Sequence, residues 1–129
     1  MKPVTTLIAS TCILLPALFM PALAQQAIKR TVLSTIDFPP GYQTVKALVE
    51  VAPNTCSGRH THAGIETAYV LEGEFILKAG DSPDQRLKAG DPIENSANIP
   101  HDVCATASGL KVLAVYVVEK GKPLATPVP

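Results

Sequence analysis

Apolar and polar residues alternate along several stretches of this chain with a period of two, and no stretch carries the 3.6-residue period of a long amphipathic helix. The clearest run is Tyr42 to Val51, where Val45, Ala47, Val49 and Val51 alternate with Lys46 and Glu50. Side chains of a strand point to opposite faces in turn, so this pattern predicts a strand with one buried face. Thr31 to Ile36 predicts a strand before it, closed by Pro39-Pro40-Gly41, and Pro53-Asn54 ends the second. Thr67 to Leu71 and Glu74 to Ala79 flank Glu72-Gly73, a pair of the kind that joins hairpin strands. Gly80 to Asp84 predicts a loop, Gln85 to Lys88 a short strand, and Ala89-Gly90-Asp91-Pro92 another turn.

Val103 to Thr106 and Leu110 to Glu119 predict the last strands, on either side of Ser108-Gly109. From Lys111 to Val118 nearly every residue is apolar, which implies cover on both faces of that strand. Gly121 to Pro129 holds three prolines and predicts an extended or loose tail. Short strands separated by turn residues predict an all-β fold, an antiparallel sandwich or closed barrel in a single domain.

The N-terminus reads differently. Met1-Lys2 is followed by an apolar run from Leu7 to Met20, interrupted by Ser10, Thr11 and Pro16, and then by Ala22-Leu23-Ala24. A charged start, a short apolar core and an A-x-A ending predict a secretory signal peptide cleaved after Ala24. The run is short and contains a proline, which disfavours a membrane-spanning anchor. The expected organisation is a signal peptide at 1–24, a β-barrel domain at 25–120 and a Pro-rich C-terminal tail at 121–129. The expected product is exported, periplasmic or secreted, with no stable membrane span after cleavage.

Eleven Lys+Arg balance eleven Asp+Glu, and loss of Lys2 leaves ten against eleven, a formal charge of −1. With no basic run and no tryptophan, nucleic acid is not the expected partner. A domain this small buries a modest core, which dimerisation would extend. Cys12 leaves with the signal peptide, so Cys56 and Cys104 remain, four residues before His60 and three after His101. They could form a disulfide, supply a soft sulfur ligand or stay as separate thiols. Strand alternation puts Cys104 on the side opposite His101, which counts against pairing.

The chain has three histidines, His60, His62 and His101. His60, His62 and Glu66 are all even-numbered, so on an extended chain they face the same way. Imidazole suits Fe, Cu, Ni and Zn, and a carboxylate adds affinity for harder ions such as Mn. Three or four protein ligands on an octahedral ion leave open positions, the mark of a reactive or ligand-binding site.

Written out, the first motif is Asn54, five residues, His60-Thr61-His62, three residues, Glu66, six residues, Gly73; the second runs from Gly90 to His101 just after Pro100. This resembles the cupin superfamily, whose motifs read G-x5-H-x-H-x3-E-x6-G and G-x5-P-x-G-x2-H-x3-N. The resemblance covers about fifty residues, roughly half the mature chain, and implies a cupin-type barrel, a double-stranded β-helix or jelly roll. It further implies that His60, His62, Glu66 and His101 point inward and hold one divalent metal ion, Fe, Mn, Ni, Cu or Zn, in a homodimer. Asn54 and Asn98 stand where the family has glycines, and asparagine is the residue that best tolerates positive φ after glycine. Ser96 replaces the family proline and Ala105 the family asparagine, and neither change removes a ligand.

Alternation also points Ala68, Val70, Val103 and Ala105 inward, predicting a compact and fairly dry pocket. Such a pocket suits a small molecule that chelates through two oxygens: an enolate, a hydroxy acid, a β-dicarbonyl or a catechol. Arg59, Thr61 and Asp102 are expected outside, Tyr42, Tyr69 and Tyr116 in wall or sheet packing, and Gly73 and Gly90 in turns. Glu66 is the one inward carboxylate, so no dedicated general base is visible. Three functions fit: a metal-dependent dioxygenase, lyase, decarboxylase or isomerase; a non-catalytic cupin that binds a metal or metabolite; and a barrel that the metal merely stabilises.

Overall fold

Strand β7, His101–Glu119, runs through the middle of the molecule, and most of the sheet is organised around it. The computed structural model describes residues 27–129, so the expected signal peptide lies outside the described residues. Within them the regular structure is entirely strand: β1 (Ile28–Ile36), β2 (Tyr42–Val51), β3 (His60–Thr61), β4 (Gly64–Ala79), β5 (Gln85–Lys88), β6 (Pro92–Asn95), β7 and β8 (Thr126–Pro127). The second half of β7 pairs with β2 on one side and the first half of β4 on the other. Its first half pairs with the second half of β4 and, at His101, with His60 of β3. The result is a curled antiparallel sheet closed around one core.

Two expectations are corrected here. Glu72-Gly73 is not a hairpin turn, because β4 continues through it, and Ser108-Gly109 does not separate two strands, because β7 continues through that pair as well. Both pairs are bends. The register of β4 against β7 shifts between Val70 and Glu72 and again between Gly73 and Phe75. A bulge inserts an unpaired residue and bends the strand, and the residue parity of the buried face changes across it. Ala68 and Val70 are buried before the bend, Phe75 and Leu77 after it; in β7, Ala105 is buried before and Leu110, Val112 and Ala114 after. The two bends meet at one corner. A Cβ on Gly73 would lie 2.0 Å from the Gly109 carbonyl oxygen, so only glycine allows the backbones this close.

The core is the inward face of these strands: Val45, Ala47, Val49 and Val51 of β2 against Phe75, Leu77, Ile93 and the even-numbered residues Leu110 to Val118 of β7. Asn54 and Asn98 both adopt positive φ, 53° and 59°, as their places in the motif predict. The Pro-rich C-terminal stretch is extended, not loose. Thr126 and Pro127 pair with Thr61 and His60, the Val128 amide donates to the Arg59 carbonyl, and Leu124 packs against the core.

Cys56 and Cys104 are joined as a disulfide. Alternation does put Cys104 on the outer side from His101, as expected, but Cys56 is on that outer side too. Backbone bonds from Ser57 to Val103 and from Ala105 to Thr55 flank the pair, which makes it a non-hydrogen-bonded antiparallel pair with the side chains close. Asp102, also facing out, accepts a hydrogen bond from the Ser57 hydroxyl at 3.0 Å.

Candidate metal centre

His60 and His101 are direct partners across the β3–β7 pairing, which sets their rings side by side with centroids 4.4 Å apart. His62 follows one residue beyond β3, its ring 5.0 Å from His60 and 4.9 Å from His101. All three are buried. One nitrogen from each lies within 4.8 Å of the others, so the trio is positioned to hold a metal ion.

The backbone decides which nitrogens face the centre. Nδ1 of His60 lies 2.7 Å from the Gly58 carbonyl oxygen, Nδ1 of His101 lies 3.0 Å from that of Ile99, and Nδ1 of His62 bonds the carbonyl of Leu124. A carbonyl only accepts, so each Nδ1 carries a hydrogen and Nε2 is the nitrogen left to face a metal ion. Sequence spacing alone gives no hint of this arrangement.

Glu66, on β4, brings Oε2 to 3.2 Å from His62 Nε2 and 3.6 Å from His101 Nε2. Asn95, its register partner on β6, donates to the same oxygen at 2.7 Å. Burial alone would raise the Glu66 pKa, but the imidazoles of His101 and His62 and the Asn95 amide hold the carboxyl well below the ordinary range. Burial also lowers the pKa of His60, and the neighbouring His101, His62 and Arg30 add to that against the Gly58 carbonyl. His101 Nε2 is buried and has no hydrogen-bond partner. Ring nitrogens that face one another and a carboxylate at 3.2 and 3.6 Å from two of them need a positive charge between them, either a proton or a metal ion. The three imidazoles are the donors within mutual reach and fit a divalent transition ion, while Glu66 touches His62 and His101 but falls outside that group.

Three further residues reach the site and were not singled out by spacing. Asn95 sits on the inward face of β6 beside Ile93, and a polar residue on an apolar face was the available signal. Tyr116, expected in wall or sheet packing, is fully buried with its ring 5.1 Å from that of His62. Its pKa is pushed up by burial and by the Glu66 carboxylate, so its hydroxyl stays protonated. Arg30, on β1, lines the same cavity. Together these groups line a cavity of about 30 Å³ with Ile28, Val49, Val51, Ile93, Val103 and Val112 forming its apolar walls. Of the residues expected to line a small dry pocket, Val103 does so, whereas Ala68, Val70 and Ala105 are packed in the core, and Arg30 adds a charged group to the lining.

The Cupin domain family model matches residues 47–118, more than half of the chain, and takes in all three histidines and Glu66. The chain belongs to the cupin superfamily. The cupin fold is also what solved structures share with it. DMSP lyase DddQ from Ruegeria pomeroyi DSS-3 superposes with a TM-score of 0.69 at 16% identity, over 79% of this chain and 52% of the lyase. Oxalate decarboxylase from Bacillus subtilis gives 0.63 at 16%, over 78% of this chain and 27% of that one. An uncharacterized conserved protein with a double-stranded β-helix domain from Klebsiella pneumoniae gives 0.61 at 18%, over 81% and 85%. This cupin spans about half the length of the DMSP lyases it superposes on. No curated protein is a recognisable relative in sequence.

Proposed function

We propose that this cupin holds one divalent metal ion through His60, His62, His101 and Glu66 and acts as a metal-dependent enzyme on a small, oxygen-chelating molecule. The observation that carries this reading is the set of three Nδ1–H groups tied to the backbone, which leaves the three Nε2 atoms free to face one another, with the Glu66 carboxylate beside those of His62 and His101. When bound, such an ion supplies Lewis-acid polarisation of a substrate oxygen. The protein's own residues do the rest. The carbonyls of Gly58, Leu124 and Ile99 fix the rings, Asn95 fixes Glu66, and the aliphatic walls keep bulk water out. Neighbouring folds that include a DMSP lyase and an oxalate decarboxylase are in keeping with small-molecule chemistry.

A second reading, a cupin that binds without turnover, is favoured by one feature: Glu66 is the sole carboxylate lining the cavity and is already engaged. Incubating the metal-loaded protein with hydroxy acids, β-dicarbonyls and catechols separates the two. Turnover that disappears in His62→Ala supports the enzyme; ligand-dependent thermal stabilisation without product supports the binder.

Export remains part of the proposal, supported by the N-terminal pattern and by a disulfide of the kind that persists in oxidising compartments. So does a homodimer. Leu48, Leu113 and Tyr69 lie in one row across the outer face of β2, β7 and β4, and Tyr69 is 52% exposed. Among the described residues no helix is long and apolar enough to cross a membrane.

A further inference from the structure

Arg30 is partly buried, and its side chain lines the cavity beside the histidines. It lies opposite Val49 in the β1–β2 register, and Val49 is a core residue, so the arginine projects onto the inward face. Its Nε is buried and has no hydrogen-bond partner, and among the described residues no carboxylate lies within ion-pair distance of it. The nearest acidic group on the cavity wall, Glu66, is already taken up by Asn95 and the histidines. A buried donor on a cation is costly to leave open unless something else completes it.

The charge of the cavity says what would. Arg30 and Glu66 are its formally charged lining residues, and they offset one another. A divalent ion added to this set leaves two positive charges in excess inside apolar walls. An anion is what the interior lacks. Guanidinium is planar and offers paired donors that match the two oxygens of a carboxylate. The cavity that Arg30 shares with His60, His101 and Glu66, about 30 Å³, admits about two water-sized groups, which suits a carboxylate head better than a bulkier tetrahedral anion.

We infer that Arg30 is a substrate-positioning residue that receives the carboxylate of a small organic acid bound beside the histidine trio. The inference rests on the metal-site reading and narrows its substrate class from oxygen chelators in general to carboxylates.

The test is calorimetric titration of the full chain, after its metal content has been measured, with acetate, malonate and lactate and with the matching carboxamides. The carboxylates bind the wild-type protein and the carboxamides bind at least tenfold more weakly. Arg30→Gln loses roughly tenfold to a hundredfold in carboxylate affinity, the range of one charge-assisted hydrogen bond. Arg30→Lys falls between, since it keeps the charge and loses the planar fork, and both variants retain the wild-type metal content. Equal carboxylate affinity in wild type and Arg30→Gln, equal affinity for carboxamides, or no carboxylate binding by any form overturns the inference. A merely structural Arg30 would lower thermal stability in Arg30→Gln with carboxylate selectivity intact, which also overturns it. Wild-type protein that takes up no metal defeats the metal-site reading instead. Arg30 is then judged on the metal-free protein, where weaker carboxylate binding must still disappear in Arg30→Gln.

Discussion

Nδ1 of His62 donates to the backbone carbonyl of Leu124, a residue 62 positions further along the chain. The C-terminal stretch thereby orients one of the three central imidazoles. It does so as an extended strap, with β8 paired to β3 and Leu124 seated against the core.

Removing Pro123 to Pro129 therefore acts on the site more than on the fold. The core strands β2, β4 and β7 keep their pairing, while His62 loses the acceptor that sets its tautomer. Loss of such an orienting partner lowers metal affinity by about 10–100-fold. Competition against a chelator, with circular dichroism to follow the strands, checks this. Unchanged affinity in a folded truncation would show that the strap is incidental.

The Cys56–Cys104 disulfide ties the segment leading into β3 to the strand that starts at His101. It closes a loop across a separation of 48 residues, for which chain-entropy reasoning gives stabilisation of about 2–4 kcal/mol. Cys56→Ser with Cys104→Ser should unfold at clearly lower denaturant concentration than the oxidised wild type, and reductant should move the wild type toward the variant. Coincident unfolding curves for all three would show that the bond contributes nothing.

Acid should destabilise the metal-free protein. His60 is held below its ordinary 6.5, so the unfolded chain takes up the proton first and a penalty on folding accumulates as pH drops below that value. Glu66 is held below its ordinary 4.5, so its contribution is complete above that pH and is lost as pH falls further. Both signs agree. Thermal melts between pH 7 and pH 4 should show a Tm that falls monotonically; a flat or rising Tm would mean that these two groups are not poised as described.

Much of the site was legible from the motif, although a break between β3 and β4 separates Glu66 from the histidine pair. His60, His62 and Glu66 still come together, and Asn54 and Asn98 occupy left-handed turns where the family pattern has glycine. The strand bends were not legible. Glu72-Gly73 has hairpin chemistry, and only the meeting of Gly73 with Gly109 shows that the chain carries on through a corner. Arg30, Asn95 and Leu124 stayed hidden for a related reason. Each reaches the site through long-range pairing or packing that no local pattern encodes.

The two asparagines offer a backbone test. Asn98 has φ 59° and donates its amide to the His62 carbonyl at 2.9 Å, so its turn abuts the site. Asn98→Gly should leave stability nearly unchanged, whereas Asn98→Val should cost about 1–2 kcal/mol through left-handed strain. Equal denaturant midpoints for the two variants would contradict the assignment of a strained turn.

The most direct measurement is metal content by elemental analysis, made on the wild-type protein and on the His60→Ala, His62→Ala double variant purified in parallel. Convergent Nε2 atoms predict about one divalent ion per chain in the wild type and almost none in the double variant. The same metal content in both proteins would contradict a centre built on these histidines.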